Sequence, residues 1–182
     1  MTKVDRRILK TQETLKKAVL ELMAEKRFDG ITIQDLSDRA NVSRGTIYLH
    51  YMDKYDLLDK LIESHINELR ERCEAAADMD FISGSLIWTE YFEHNYSFFS
   101  MMLASKGAPY FRNRFLDFLL EEFRDEVDVT KGKNQGLSED LTVRFVATAY
   151  VGVVEWWFTN DKPIPHQTLA KQLGTLLERN CN

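Results

Sequence analysis

Two cysteines, three prolines and eight glycines are spread over 182 residues. Cys73 and Cys181 stand far apart in the chain. A metal site wants clustered ligands, so none is expected here. Two distant thiols with no secretory signal read as free cysteines in a reducing cytoplasm. Few prolines and glycines mean few chain breakers, which favours long helices. No apolar run approaches the ~18 residues of a membrane span, so no membrane insertion is expected. The opening MTKVDRRILK is charged and polar rather than signal-like. Catalytic signatures are missing too: there is no H-E-x-x-H, no G-x-S-x-G and no phosphate-binding glycine loop. The four histidines, at 50, 65, 94 and 166, are scattered. These absences predict a cytoplasmic chain that is not an enzyme and has no catalytic residue and no cofactor.

What is present is globular. Hydrophobic residues make up 44% of the chain and charged ones 29%, which excludes disorder. The net charge of −5 is unevenly divided. Residues 1–60 carry 12 Lys/Arg against 10 Asp/Glu, and residues 61–182 carry 12 against 19. A polyanion is attracted to the first part and repelled by the second.

Hydrophobic periodicity predicts an all-α fold of about nine helices. Leu15, Ala18, Val19, Leu22 and Met23 form one stripe of a helix from about Arg6 to Lys26. Gly30 suits a left-handed stop. Thr32 is placed to cap a helix reaching Ala40, with Asp35 in its first turn. Asn41 falls at a turn and tolerates the left-handed region. Ser43 caps a third helix, about 44–50, anchored by Ile47 and Tyr51. Asp53 caps a fourth, about 54–77, with a stripe of Tyr55, Leu58, Leu61, Ile62, His65, Ile66 and Leu69. Further helices are expected at about 83–94, 96–105, 108–126, 139–160 and 166–179, with TKGKNQG (130–136) as an exposed loop.

A short helix, a tight turn and a second short helix make a helix-turn-helix, whose second helix enters the DNA major groove. That helix needs an apolar side to dock and a polar side to read. Residues 43–50 supply both. Ile47 points inward, and Arg44 can bridge O6 and N7 of guanine. Gly45 lets the helix end approach closely, and Thr46 suits a thymine methyl or a phosphate. Tyr48, His50 and Lys54 suit phosphates, and Lys54 adds the anion affinity of a helix start. Spacing alone fits an ordinary helical hairpin equally well. Arg44 is then a solvated charge, Tyr48 a packing residue and His50 a core histidine.

The stretch from Phe28 to Ile62, FDGITIQDLSDRANVSRGTIYLHYMDKYDLLDKLI, closely resembles the DNA-binding domain of the TetR/AcrR family of bacterial regulators. The resemblance rests on Thr32, on Ala40 and Val42 around the turn, and on Ser43-Arg44. It continues through Thr46-Ile47-Tyr48, Tyr51, and Lys54 before Leu57-Leu58. Asn41 stands where the family usually has Gly, and Tyr51 where Phe is commoner. The resemblance implies a regulator that binds a double-stranded operator as a homodimer, most often a repressor released by an effector. It makes Thr32, Ser43, Arg44, Gly45, Thr46, Tyr48, His50 and Lys54 the DNA-contacting set. Lys3, Arg6 and Arg7 read either as an arm along phosphates or as a solvated terminus. The implied organisation is a helix-turn-helix domain over 1–53 (motif 32–51), a connecting helix over 54–78 and an effector-binding and dimerisation domain over 79–182.

Of 21 aromatic residues, 17 lie between Phe81 and Phe158. They predict either a packed core or a pocket for a small hydrophobic effector, with Trp88, Tyr91, Phe92, Phe99, Met102, Phe115 and Trp156 as candidate lining. Residues 143–158, VRFVATAYVGVVEWWF, are apolar on nearly all sides, and such a helix is expected to be buried all round. With the last helix it makes the expected homodimer bundle, about 139–160 and 166–179. The alternative is a co-regulator whose second domain recruits a protein partner instead of a small molecule.

Overall fold

The computed structural model describes residues 6–104 and 109–181, so Lys3 of the candidate arm lies outside the described residues. Among these residues the chain is all-α, with nine α-helices and no strand. It divides into two compact units, Met1–His65 and Ile66–Asn182, and the division falls inside the fourth helix.

In the first unit, α1 (Arg6–Glu25) buries Leu15, Ala18, Val19, Leu22 and Met23, the stripe that its periodicity predicts. Gly30 does not adopt the left-handed stop expected of it. It closes a 3-10 turn over Phe28–Gly30, with its N–H on Arg27 O and that of Ile31 on Phe28 O. In α2 (Ile33–Ala40), Thr32 accepts from Asp35 N, and the Asp35 carboxylate accepts from Thr32 N, a full capping box with Asp in the Glu position. Asn41 ends α2 in the left-handed region, φ 52° and ψ 46°. α3 is shorter than predicted, Arg44–Tyr48, because Leu49 and His50 relax into a turn. α4 (Lys54–Ala76) starts on Asp53, whose carboxylate accepts from Tyr55 N and Asp56 N. Tyr55 does not join the buried stripe of α4. It is 53% exposed and meets Phe28 edge-on, while Leu57 is fully buried in its place.

The second unit holds α5 (Phe81–His94), α6 (Tyr96–Ala104), α7 (Pro109–Glu122), α8 (Glu139–Thr159) and α9 (His166–Cys181). α5 begins two residues earlier than predicted because Asp80 accepts from Ser83 N and caps it. Phe92, Phe99, Phe111 and Phe115 are buried completely. Their rings meet edge-on or stacked, with Phe92–Phe99 at 4.8 Å and Phe111–Phe115 at 5.7 Å, geometries that favour aromatic pairs. The loop before α8 is not wholly exposed. Asn134 is buried in a 3-10 turn, and its Nδ2 donates to Asn180 O over 2.8 Å, tying the loop to the end of α9.

α8 also departs from the expectation of burial all round. One face is buried through Val143, Ala147, Tyr150, Val154, Trp157 and Phe158, but Leu141, Phe145, Ala149, Gly152 and Trp156 stand exposed on another. Apolar side chains thus lie on both faces of α8, and those of the second face are exposed.

Gly174 lets α9 approach α5 closely, since a Cβ there would lie 2.5 Å from the Ile82 backbone. Gly174→Ala is expected to destabilise the chain by about 1–3 kcal/mol in chemical denaturation, the usual scale of overpacking. Gly84→Ala, where a Cβ meets nothing within 4 Å, is expected to leave stability unchanged or raised.

Candidate nucleic-acid interface

A five-residue helix gains little from its own hydrogen bonds. α3 is held from outside. Ser43 accepts from Thr46 N over 3.1 Å and bonds the Thr46 hydroxyl at 2.8 Å, which fixes the first turn. Ser37 Oγ donates to Val42 O over 2.6 Å and locks the turn between α2 and α3. Ile47 is fully buried and Tyr51 nearly so, anchoring the inner side. The outer side carries Arg44, Gly45, Tyr48 and Leu49, all exposed.

The Arg44 guanidinium makes no hydrogen bond or ion pair among the described residues. Gly45 has room for a Cβ inside the protein, the nearest atom being Ser43 Oγ at 3.7 Å. Tyr48 is 57% exposed, and Leu49 and Met52 are above 80%. Pattern reasoning passed over Leu49 and Met52; their only signal was two apolar residues lying off the Ile47–Tyr51 stripe. His50 is half-buried, its ring 6.3 Å from that of Tyr51. The loop from α3 to α4 is held by Asp56, which accepts from Met52 N over 2.8 Å and pairs with Lys60 at 3.0 Å.

Thr32 lies at the surface, but its hydroxyl is engaged in the capping box. The Asp35 carboxyl is pulled down to about 2, first by the Lys26 ammonium at 2.7 Å and then by the Thr32 hydroxyl and N–H. Arg39 reaches from α2 to Glu25 at 2.8 Å and Glu21 at 3.4 Å on α1. These ties clamp α2 against α1 and leave the polar side of α3 as the unsatisfied surface of the unit.

Lys54, expected at a phosphate, has its ammonium engaged within the protein. Its ammonium donates to Phe28 O, Asp29 O and Ile31 O at 3.0, 2.8 and 2.8 Å. It also lies 5.1 Å from the ring centroids of both Phe28 and Tyr55. An ammonium has three donors, and all three are used here. Lys54 is therefore a brace between the start of α4 and the turn that delivers α2.

The candidate effector residues do not line one space. Phe92, Phe99, Met102 and Phe115 are sealed in the aromatic core. Trp156 is 45% exposed on the outer face of α8, apart from them. Tyr91 is buried under the Arg72 guanidinium, 4.7 Å from its ring, and burial pushes its phenol up to about 12. Only Trp88 of the set borders the cavity of about 110 Å³ in this unit, together with Tyr150, Glu122 and Glu126, which pattern reasoning did not find.

The brace makes Lys54→Met a structural variant. It is expected to lose about 1 kcal/mol of stability, as the part-buried Ile31 carbonyl loses its donor while Phe28 O keeps Ile31 N–H and Asp29 O meets water. The salt dependence of DNA binding is expected to stay unchanged, whereas loss of a phosphate contact would reduce the slope by about one. Denaturation and titrations at several salt concentrations check both.

Comparison with known proteins agrees with this geometry. Residues 16–61 match the family model described as bacterial regulatory proteins, tetR family, and residues 81–179 match the model described as transcriptional regulator C-terminal region. An uncharacterised HTH-type transcriptional regulator of Bacillus subtilis, YxbF, is 39% identical over 75 residues, which are 41% of this chain but only 20% of that protein. The HTH-type repressor KstR2 of Rhodococcus jostii is 25% identical over 167 residues, 83% of this chain and 81% of that one. The crystal structure of a TetR transcriptional regulator from Streptococcus agalactiae is 29% identical, with a TM-score of 0.73 over 95% of this chain and 96% of that one. The Pseudomonas aeruginosa repressor NalD shares the fold, with a TM-score of 0.73 at 16% identity over 97% of this chain and 98% of that one. With a helix-turn-helix model over the first unit and a regulator model over more than half of its length, the chain belongs to the TetR family of bacterial transcription regulators.

Proposed function

We propose that the chain is a dimeric repressor that reads a palindromic operator with α3 and is released by an effector in its second unit. The observation that carries the reading is the outer face of α3. It presents an uncommitted Arg44, a glycine that the fold itself does not need, and an exposed Tyr48, on a helix immobilised by its own caps. Arg44 reads a base, most simply guanine through O6 and N7. Gly45 admits the groove edge, and Ser43, Thr46, Tyr48 and His50 position the backbone. Relatives named as repressors, KstR2 among them, support repression over activation.

The dimer forms on the outer faces of α8 and α9. Leu141, Phe145, Ala149, Gly152 and Trp156 make one continuous apolar stripe, and Leu176 on α9 is 49% exposed. The small Ala149 and Gly152 allow a second copy of α8 to come close. A two-fold axis there makes a four-helix bundle, and a two-fold dimer matches a palindromic operator. A second reading, recruitment of a protein partner by the second unit, gains from the sealed aromatic core, which leaves no room for a large effector at its centre.

Anisotropy titration against the DNA flanking its own gene tests the main reading. Affinity is expected to fall steeply with salt. Arg44→Ala is expected to cost about 1–3 kcal/mol and to relax preference at one base pair. Gly45→Ala is expected to weaken binding at unchanged stability. No retained DNA at low salt would sink the proposal.

The dimer has its own check. Phe145→Glu is expected to give a folded monomer in light scattering, with much weaker operator binding. A variant that remains a dimer would move the interface elsewhere.

A further inference from the structure

The cavity of about 110 Å³ in the second unit has an unusual lining. Its apolar walls are Phe81, Trp88, Phe123 and Tyr150. Its charged groups are Asp80, Glu122 and Glu126, and no Lys, Arg or His among the described residues borders it. Asp80 is spent on capping α5. Glu122 has Arg70 Nε at 3.6 Å on its outer side. Glu126 stands exposed at the rim with no ion-pair partner among the described residues, and partial desolvation, then the like charges of Asp125 and Glu122, hold its carboxyl above the ordinary range.

Tyr150 is the second, independent feature. It is 3% exposed, wedged between Trp88 and Phe123 at ring distances of 5.4 and 5.8 Å, and it borders the cavity. Its hydroxyl has no hydrogen bond among the described residues, yet it is not among the fully buried polar atoms left without a partner, as fits a group that borders the cavity. Two helix C-termini also converge here, since Ala76 and Ala77 end α4 and Glu122 ends α7. The negative end of a helix favours a cation. The start of α5 opens on the same space, but Asp80 already satisfies it.

We propose that this cavity is a binding site for a small organic ammonium ion. Its alkyl part lies against Trp88, Phe123 and Tyr150, and its N–H groups donate to Tyr150 Oη and to the Glu122 and Glu126 carboxylates. An anion meets like charge at all three charged groups of the lining. A neutral apolar molecule desolvates the carboxylates and supplies no partner for the phenol. An ammonium supplies a counter-charge, donors and attraction to aromatic faces together. A cavity of ~150 Å³ takes benzene, so about four or five heavy atoms fit within this one. The ligand class deepens the effector reading and rests on it for any effect on DNA; occupancy of the cavity does not.

Calorimetric titration of the full chain with n-butylammonium, n-butanol and butyrate tests the site. The expected result is saturable binding of the ammonium, at least about tenfold weaker binding of the alcohol and none of butyrate. Glu126→Gln is expected to weaken the ammonium by about tenfold. Gly84 borders the cavity and has open space at its Cβ, so Gly84→Leu fills the site without a backbone clash and is expected to abolish binding at unchanged melting temperature. The site is overturned if the ammonium does not saturate, if butanol binds as tightly, or if Gly84→Leu binds normally. Operator affinity measured with ammonium bound separates the two claims. A shift supports the effector reading, and tight ammonium binding with no shift overturns that reading for this cavity while the site stands.

Discussion

The Lys54 ammonium holds three backbone carbonyls of the turn between α1 and α2, and the first unit is organised around that contact. α2 and α3 are eight and five residues long, too short to stand by propagation alone. They are fixed instead by what meets their ends: the capping box on Thr32, the left-handed Asn41, the Ser43 cap, and Lys54 drawing the start of α4 onto the turn before α2. Thr32, Ser43 and Lys54 make these contacts with their side chains, Asn41 with its backbone. Arg44, on the outer side of α3, is among the cations that make no such contact among the described residues.

The second unit obeys a different constraint. Its aromatic residues satisfy one another, ring against ring, and close the centre of the unit. What remains unsatisfied lies at the margins. An apolar stripe on α8 stands exposed, and a phenol and a carboxylate share a small cavity without a counter-charge among the described residues. A regulator must change state through something, and unsatisfied groups are where differential affinity can act.

Much of the fold was legible in the sequence because local chemistry decides it. The stripe on α1, the caps at Thr32, Ser43 and Asp53, and the turn at Asn41 each depend on residues within a few positions of one another. What was not legible depends on distance along the chain. A lysine in the first turn of a helix reads as an anion site until its partners are seen 23 to 26 residues upstream. Trp156 reads as core by composition, yet helical phase turns it outward with Leu141 and Phe145. Tyr55 and Leu57 exchange roles because Phe28, from another element, offers the tyrosine an edge. The cavity beside Tyr150 is drawn from five helices, and no periodicity in any one of them marks it.

The central claim is that α3, presented twice by a two-fold dimer, reads DNA through Arg44. A nuclease footprint on the DNA flanking the gene tests it most directly. The account predicts two symmetric protected half-sites whose centres lie about 34–36 Å apart or a multiple of that, with protection lost in Arg44→Ala. No protection at low salt, protection without two-fold symmetry, or an unchanged footprint in Arg44→Ala would contradict it.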